Sequence, residues 1–125
     1  MNEIKDYKSS NNLVEAIIEG VRRKKGESIL DFDLAQINNS QCDHLIICHG
    51  NSNTQVEAIA RSVEETVEEI TGENVWHTDG YRNAQWILLD YSDVMVHVFQ
   101  KDTRIYYDLE SLWADAKIIT YNSEN

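Results

Sequence analysis

The sequence GYRNAQWILLDYSDVMVHVFQKDTRIYYDLESLW, residues 80–113, decides the fold of this chain. Within it, residues 85–90 and 94–100 are apolar segments of strand length, rich in β-branched and aromatic side chains. Residues 91–93 between them are polar and few enough to form a turn. The stretch therefore predicts a β-hairpin with an acidic tip, followed by an aromatic helix.

The helix is indicated by the last part of this stretch. Asp102 or Thr103 can cap its start, and apolar residues then recur at helical spacing on one side. These apolar residues are Ile105, Tyr106, Leu109, Leu112 and Trp113. After Trp113 the apolar pattern weakens, so we expect a loosely held C-terminal tail.

A first helix is predicted near the N-terminus, where apolar residues recur at helical spacing. They are Leu13, Ala16, Ile17 and Val21. Asn11 or Asn12 can cap the start of this helix, and Gly26 can end it in a left-handed turn. Residues 1–12 are polar, and we expect them to form a tail without an apolar signal segment.

A second helix is predicted to begin at Ser52, because Ser52 and Gln55 have the spacing of a capping box. Gly72 stands where a helix-ending glycine belongs. One side of this helix is apolar and the remaining side is rich in glutamate, which indicates a solvated face. The apolar side consists of Val56, Ile59, Ala60, Val63, Val67 and Ile70.

Three further strands are predicted at residues 27–34, 45–48 and 75–78. The second is apolar throughout, which is typical of a strand buried on both faces in the middle of a sheet. The predicted order is α-β-β-α-β-β-β-α. It favours an α/β fold with a mixed five-stranded sheet flanked by helices.

The length and composition fit one globular domain, with a core at about residues 13–115. The chain has 125 residues, of which 42% are hydrophobic, so it can bury a core without cross-links. Cys42 and Cys48 are the only cysteines, which fits a reduced, cytoplasmic setting. No apolar run approaches the roughly 20 residues of a membrane helix, so we expect no membrane association.

The formal net charge of −11 bears on the choice of partner. Affinity for nucleic acid depends on neutralising phosphates with Lys and Arg, so an acidic chain is expected to make little direct nucleic acid contact. The one basic run, residues 22–25, falls where the first helix is predicted to end. It fits the negative end of the helix dipole, with an RNA contact as the alternative.

Four potential zinc ligands occur close together: Cys42, His44, Cys48 and His49. They lie on and around one short predicted strand, where neighbouring side chains point to opposite faces. Such a strand does not readily supply a tetrahedral shell to one metal, so we expect no metal and no cofactor.

An enzymatic alternative rests on Asp90 and Asp93, which flank the predicted turn. Acidic residues at strand ends can hold magnesium against a nucleotide phosphate, as in a nucleotidyltransferase. These two acids are three positions apart across a turn, however, and that family needs them two apart on one strand face. We therefore expect no catalytic residues.

Trp86 and His97 lie on the two predicted hairpin strands. His97 shares a strand face with Met95 and Phe99, which indicates a half-buried histidine with a hydrogen-bond partner. Trp86 begins its strand just after a polar loop. It is either a core aromatic residue or the anchor of a protein interface, where tryptophan contributes much of the binding energy.

Residues 79–99, DGYRNAQWILLDYSDVMVHVF, and 104–113, RIYYDLESLW, closely resemble the ribosomal silencing factor family, also called Iojap-like proteins. The resemblance extends over about residues 13–115 and includes residues 43–50 and the helix that begins at Ser52. It implies a nucleotidyltransferase-related α/β domain without catalytic acids. It also implies a translation repressor that binds the fourteenth protein of the large ribosomal subunit and blocks joining of the small subunit when nutrients are short.

The same resemblance implies a partner-binding surface on the hairpin and the adjacent loop. Its expected residues are Trp86, Leu88, Asp90, Tyr91 and Asp93, with Arg82 or Asn83 at the rim and Tyr107 from the third helix. The family often has Gly in the turn where this chain has Ser92, which reaches positive φ less easily. A homodimer through the same apolar hairpin face is the third hypothesis.

Overall fold

The hairpin predicted within residues 80–113 lies in a six-stranded mixed sheet. The computed structural model describes residues 2–37 and 42–123, with side chains from residue 12 onward. The elements are α1 (Asn2–Arg23), β1 (Glu27–Asp33), β2 (His44–Gly50), α2 (Asn53–Thr71), β3 (His77–Asp79), β4 (Trp86–Asp90), β5 (Val94–Gln100), α3 (Lys101–Tyr107), a 3₁₀ helix (Leu109–Trp113) and β6 (Lys117–Tyr121).

The strand order across the sheet is β3-β4-β5-β2-β1-β6. The central pair, β2 and β5, is parallel, and the other described pairs are antiparallel. This confirms the mixed sheet and the central position of β2, in which six of seven residues are buried. A strand covered on both faces favours the continuous apolar sequence from which β2 was predicted.

One face of the sheet, here called the covered face, packs against α1 and α2. Its core joins apolar residues of both helices to alternate residues of β1, β2, β4 and β5, and Ile17, Ile46, Ile59, Ile87 and Val96 are fully buried there. Ser52 caps the start of α2, where its side chain accepts the Gln55 N–H, and Gly72, with φ of 78°, caps its end. Both predicted ends of α2 are confirmed.

The opposite face, here called the open face, is covered only in part. A smaller cluster of Phe32, Leu34, Cys42, Leu45, Ile47 and Phe99 packs there against side chains that include Leu109 and Trp113 of the 3₁₀ helix. Trp113 is thus a core-side residue, as predicted. On β4, Trp86 of the open face contacts Tyr107 of α3, and Leu88 is only half-buried.

β6 corrects two predictions. The sheet has six strands rather than five, and residues 117–121 pair with β1 along five register positions instead of forming a loose tail. The sheet thus extends beyond residue 115. β6 is an edge strand with mostly exposed side chains, so it lacks the buried apolar pattern that reveals inner strands.

α1 also differs from its prediction at both ends. It begins at Asn2, well before the expected cap at Asn11 or Asn12. At the other end Lys25, with φ of 59°, takes the left-handed conformation predicted for Gly26. Gly26 is required for another reason: a Cβ there would lie 2.4 Å from Cγ1 of Val21.

The third helix is shorter than predicted. α3 is preceded by Gln100, not capped by Asp102 or Thr103, and it ends at Asp108, which has φ of 45°. The chain then continues as the 3₁₀ helix. Ile105, Tyr106 and Leu112 are therefore exposed instead of forming one buried side with Leu109 and Trp113.

A candidate protein-interaction surface

The strand β4 divides its side chains between the two faces of the sheet. Ile87 and Leu89 are fully buried on the covered face, whereas Trp86, Leu88 and Asp90 are half-buried on the open face. Opposite these three on β5 lie Phe99, His97 and Met95. We call the half-covered group of Trp86, Leu88, Asp90, Met95, His97 and Tyr107 the Trp86 surface.

Trp86 is held in place by its neighbours. Its ring lies 4.8 Å from the Phe99 ring and 5.0 Å from the Tyr107 ring, between centroids. Its indole Nε1 donates to Nδ1 of His97 over 2.9 Å. The two interpretations of Trp86 are thus compatible, because the ring packs on the small cluster while the side chain stays only partly buried.

His97 is the half-buried histidine with a hydrogen-bond partner that the sequence predicts. Burial lowers the pKa of His97 to about 4, so the ring is neutral at pH 7 and its Nδ1 can accept the Trp86 hydrogen bond. The resemblance did not include His97 among the site residues. Its hydrogen bond restrains the orientation of the Trp86 indole.

Tyr107 brings α3 into the surface. Its side chain is 55% exposed, and its ring also makes an edge contact with Tyr106, at 5.0 Å between centroids. Aromatic rings of this kind offer large rigid area to a partner at low conformational cost.

The loop from β3 to β4 sets the position of Trp86. Gly80 has φ of 93°, and a Cβ there would lie 2.0 Å from the carbonyl oxygen of Trp86, so only glycine fits. Arg82 and Asn83, predicted at the rim, are exposed in this loop. Asp79 pairs with Leu88 across the strands and is exposed beside the Trp86 surface.

The hairpin tip has the positive φ that serine reaches less easily than glycine. Ser92 has φ of 75°, and its backbone N–H donates to Oδ1 of Asp90 over 2.7 Å. This local hydrogen bond is an Asx-type contact that stabilises the turn. The backbone oxygen of Asp93 accepts the N–H groups of Asp43 and His44, at 2.7 and 3.2 Å.

Carboxylates gather around this tip. Burial, and then the nearby charges of Asp43, Asp90 and Asp93, raises the pKa of the Cys42 thiol. Asp43 was not among the predicted site residues. The parallel pairing of β2 with β5 brings it beside the tip, and such long-range pairing is not visible in sequence spacing.

Tyr91 is separated from the other predicted contact residues. Its side chain is only 6% exposed and belongs to the core of the covered face. Strand alternation explains this, because Asp90 points to the open face and the next side chain points to the other. The structure therefore brings together Trp86, Leu88, Asp90 and Tyr107, and leaves Tyr91 out.

The potential metal ligands are distributed as the alternation predicts. Cys48 is buried in the core of the covered face, whereas His49 lies on the open face next to Arg104. His44 lies on the covered face, where Nδ1 is 2.9 Å from Oδ1 of buried Asp31. In residues 12–37 and 42–123, no group of three or more His, Cys, Asp or Glu side chains is arranged to hold a metal.

The basic run at the end of α1 is partly engaged within the protein. Arg22 donates to the backbone oxygen of Asn122 over 2.8 Å, and Arg23 contacts Glu19, Glu69 and Thr66. Both arginines lie in the last turn of α1, as the helix-end interpretation predicts. Of the helices in the described residues, none is both long and apolar enough to cross a membrane.

Comparison with known proteins identifies relatives over most of the chain. The family model described as "Ribosomal silencing factor during starvation" matches residues 7–125. A Bacillus subtilis protein named as a ribosomal silencing factor is 46% identical over 95 residues, covering 76% of this chain and 79% of the relative. A protein of the same name from Halalkalibacterium halodurans is 40% identical over 111 residues, covering 89% and 93%.

The fold is shared with a solved structure as well. The crystal structure of a Chromobacterium violaceum protein matches with a TM-score of 0.74 at 33% identity, covering 86% of this chain and 85% of that one. Identity at these levels over most of both chains settles the family. The chain belongs to the ribosomal silencing factor family.

Proposed function

We propose that this protein binds the fourteenth protein of the large ribosomal subunit through the Trp86 surface and so blocks joining of the small subunit. The observation that carries the proposal is a half-covered sheet face with apolar and aromatic side chains at its centre and carboxylates around it. Trp86, Leu88 and Tyr107 form the centre, and Asp79 and Asp93 are exposed beside it. Interfaces commonly combine an aromatic anchor with a polar rim.

The charge of the chain supports a protein partner over ribosomal RNA. A net charge of −11 is repelled by phosphate, so the attractive contact needs a basic surface on a protein. Exposed carboxylates at the hairpin tip suit such a surface and would steer the encounter. Arg82 and Asn83 would lie at the rim of the same contact.

Inhibition through this surface requires no chemical step. A protein bound where the small subunit must dock excludes it sterically, and the inhibition then follows from affinity alone. In this proposal the protein is a cytoplasmic binding factor. It needs neither a cofactor nor catalytic residues. The starvation named in the family description fits repression of translation when nutrients are short.

The test is binding of the full chain to purified large subunits, measured by cosedimentation in a sucrose gradient. We expect comigration with free large subunits and a reduced yield of joined ribosomes in light scattering. Trp86→Ala should weaken binding by at least about 2 kcal/mol, or about thirtyfold, because the anchor is lost. Circular dichroism would establish that the variant remains folded.

A charge pair of variants provides the matched control. Asp93→Lys changes an exposed carboxylate at the tip, and Glu65→Lys makes the same change on the exposed side of α2. Asp93 suits this test better than Asp90, whose side chain also holds the turn. This surface would be rejected if Trp86→Ala and both lysine variants bound the large subunit as tightly as the wild type does. Joining that proceeds normally with the factor bound would reject steric exclusion.

A further inference from the structure

A second feature of the open face is a cavity of about 430 Å³ that shares no lining residue with the Trp86 surface. Its walls come from β1, β2, α3 and the start of the 3₁₀ helix. A volume of this size is within the range of small-molecule sites. The binding of a ribosomal protein, as proposed above, makes no use of it.

Arg104 forms the buried wall of this cavity, although arginine is rarely buried without a partner or a function. It is only 6% exposed. Its Nη1 donates to the backbone oxygen of Ser28 over 2.8 Å and contacts Nδ1 of His49 at 2.9 Å, and its Nε contacts Glu110 at 3.3 Å. Within the described part of the chain, the remaining nitrogen Nη2 has no hydrogen-bond partner.

His49 helps to hold this guanidinium in place, and its ring carries no charge of its own. Burial, and then the charge of Arg104, lowers the pKa of His49, so its ring is neutral at pH 7. Its Nδ1 then accepts from Arg104. Nη1 is thus oriented by two neutral acceptors, the His49 ring and the Ser28 carbonyl, while Nε pairs with the carboxylate of Glu110.

A second cation and two acidic groups complete the lining. Lys101 precedes Arg104 by one helical turn, so both side chains reach the same wall. Glu110 lines the cavity, and its oxygen Oε1 is buried and has no partner among the described residues. Asp108 also lines the cavity and accepts a short hydrogen bond from Ser111.

The backbone at this cavity is strained in two places. Ser28 has φ of 48° and Asp108 has φ of 45°, values that residues other than glycine rarely adopt. Ser28 lies at an irregularity in the pairing of β1 with β2, and its carbonyl is thereby aimed at Arg104. Such backbone conformations are often found at functional sites.

From these features we infer that the cavity binds the phosphate group of a small hydroxylated molecule. Lys101 and Nη2 of Arg104 hold the phosphate oxygens, and Glu110 and Asp108 accept hydrogen bonds from the hydroxyl groups. Ile105 supplies an apolar wall for the carbon skeleton.

Phosphate fits these donors better than carboxylate does. A carboxylate binds arginine best through two parallel hydrogen bonds from a free fork. Here Nη1 and Nε are already engaged, so Arg104 offers a single terminal nitrogen. The tetrahedral oxygens of a phosphate can each accept one hydrogen bond from separate donors, and a lysine serves well as a point charge for them.

The test is a titration of the ¹⁵N-labelled full chain, followed by NMR, with ribose 5-phosphate, inorganic phosphate and gluconate as probes. We expect saturable shifts at Ser28, His49 and Lys101 with ribose 5-phosphate, and weaker binding of inorganic phosphate, which lacks the hydroxyl groups. Gluconate, which pairs hydroxyl groups with a carboxylate, should bind more weakly still.

Lys101→Gln should weaken ribose 5-phosphate binding about tenfold, because one charge-assisted hydrogen bond is lost. Lys101 is exposed, so this variant should fold, whereas Arg104→Gln would also remove buried hydrogen bonds. Lys117→Gln, an exposed lysine at the start of β6, is the matched control and should bind as the wild type does. The inference is overturned if no probe gives saturable shifts up to about 10 mM, or if both lysine variants bind alike. Trp86→Ala should retain this binding, so the outcome is independent of the ribosomal interaction.

Discussion

The two faces of the sheet are built from the same strands but are covered to different extents. On the covered face, Ile87 and Leu89 of β4 are fully buried under α1 and α2. On the open face, Trp86 and Leu88 of the same strand stay half exposed. Alternation along one strand therefore assigns neighbouring residues to folding and to the proposed binding.

The histidines show the same division. On the covered face, His44 lies next to the buried carboxylate of Asp31, and this hydrogen bond raises the pKa of His44. On the open face, His97 has no carboxylate partner among the described residues, and burial lowers its pKa to about 4. The covered face thus favours the charged form of His44. The open face favours the neutral form of His97, which accepts the hydrogen bond from Trp86.

The largest effect is expected from a pair of alanine substitutions at adjacent positions of β4. Ile87→Ala should lower the free energy of unfolding by about 2–5 kcal/mol, because it leaves a cavity in the covered core. Leu88→Ala should lower it by roughly 1 kcal/mol or less, because that side chain is half exposed. Urea unfolding followed by circular dichroism measures both.

Large-subunit binding should show the reverse order for the same two variants. Leu88→Ala is expected to weaken cosedimentation, and folded Ile87→Ala to bind normally. Equal losses of stability in the two variants would show that the faces are not divided in this way.

A second effect concerns pH and His97. Since folded His97 has a pKa of about 4 and the unfolded ring one of 6.5, the unfolded state binds the proton first as pH falls. Stability should therefore fall between about pH 6.5 and pH 4, by up to about 3 kcal/mol from this group. His97→Gln, which can still accept from Trp86, should show a smaller fall in urea titrations at the two pH values.

His44 gives the opposite sign in the same titrations. Its raised pKa means that its contribution is complete below pH 6.5 and is lost as pH rises through the folded value. His44→Gln should therefore remove a decline in stability on the alkaline side and leave the acid side unchanged. A decline on the same side for both histidine variants would contradict the assigned environments.

Sequence patterns predicted the inner part of this fold better than its margins. β2, β5 and α2 have strong apolar periodicity or cap residues, and their positions are confirmed. β6 and the start of α1 were missed, since an exposed edge strand and a polar helical segment carry little apolar signal.

The placement of the candidate site residues was predicted with the same limit. The resemblance supplied Trp86, Leu88 and Asp90, and alternation explains why they share a face. It also supplied Tyr91, which alternation should have assigned to the other side. The position of Asp43 beside the hairpin tip depends on long-range strand pairing. The break of the third helix depends on the left-handed backbone of Asp108. Sequence spacing reveals neither.

The smallest effect is expected at the hairpin tip, where the two faces meet. Ser92 adopts φ of 75°, a conformation that glycine reaches without steric cost. Ser92→Gly should therefore raise the free energy of unfolding, by at most about 1 kcal/mol, because the greater freedom of glycine in the unfolded chain offsets part of the gain. Ser92→Ala keeps the N–H that donates to Asp90 and lacks the hydroxyl, so it serves as the control and should not gain stability. If Ser92→Gly is less stable than Ser92→Ala in urea unfolding, the left-handed backbone at position 92 does not favour glycine, and the expected steric cost is contradicted.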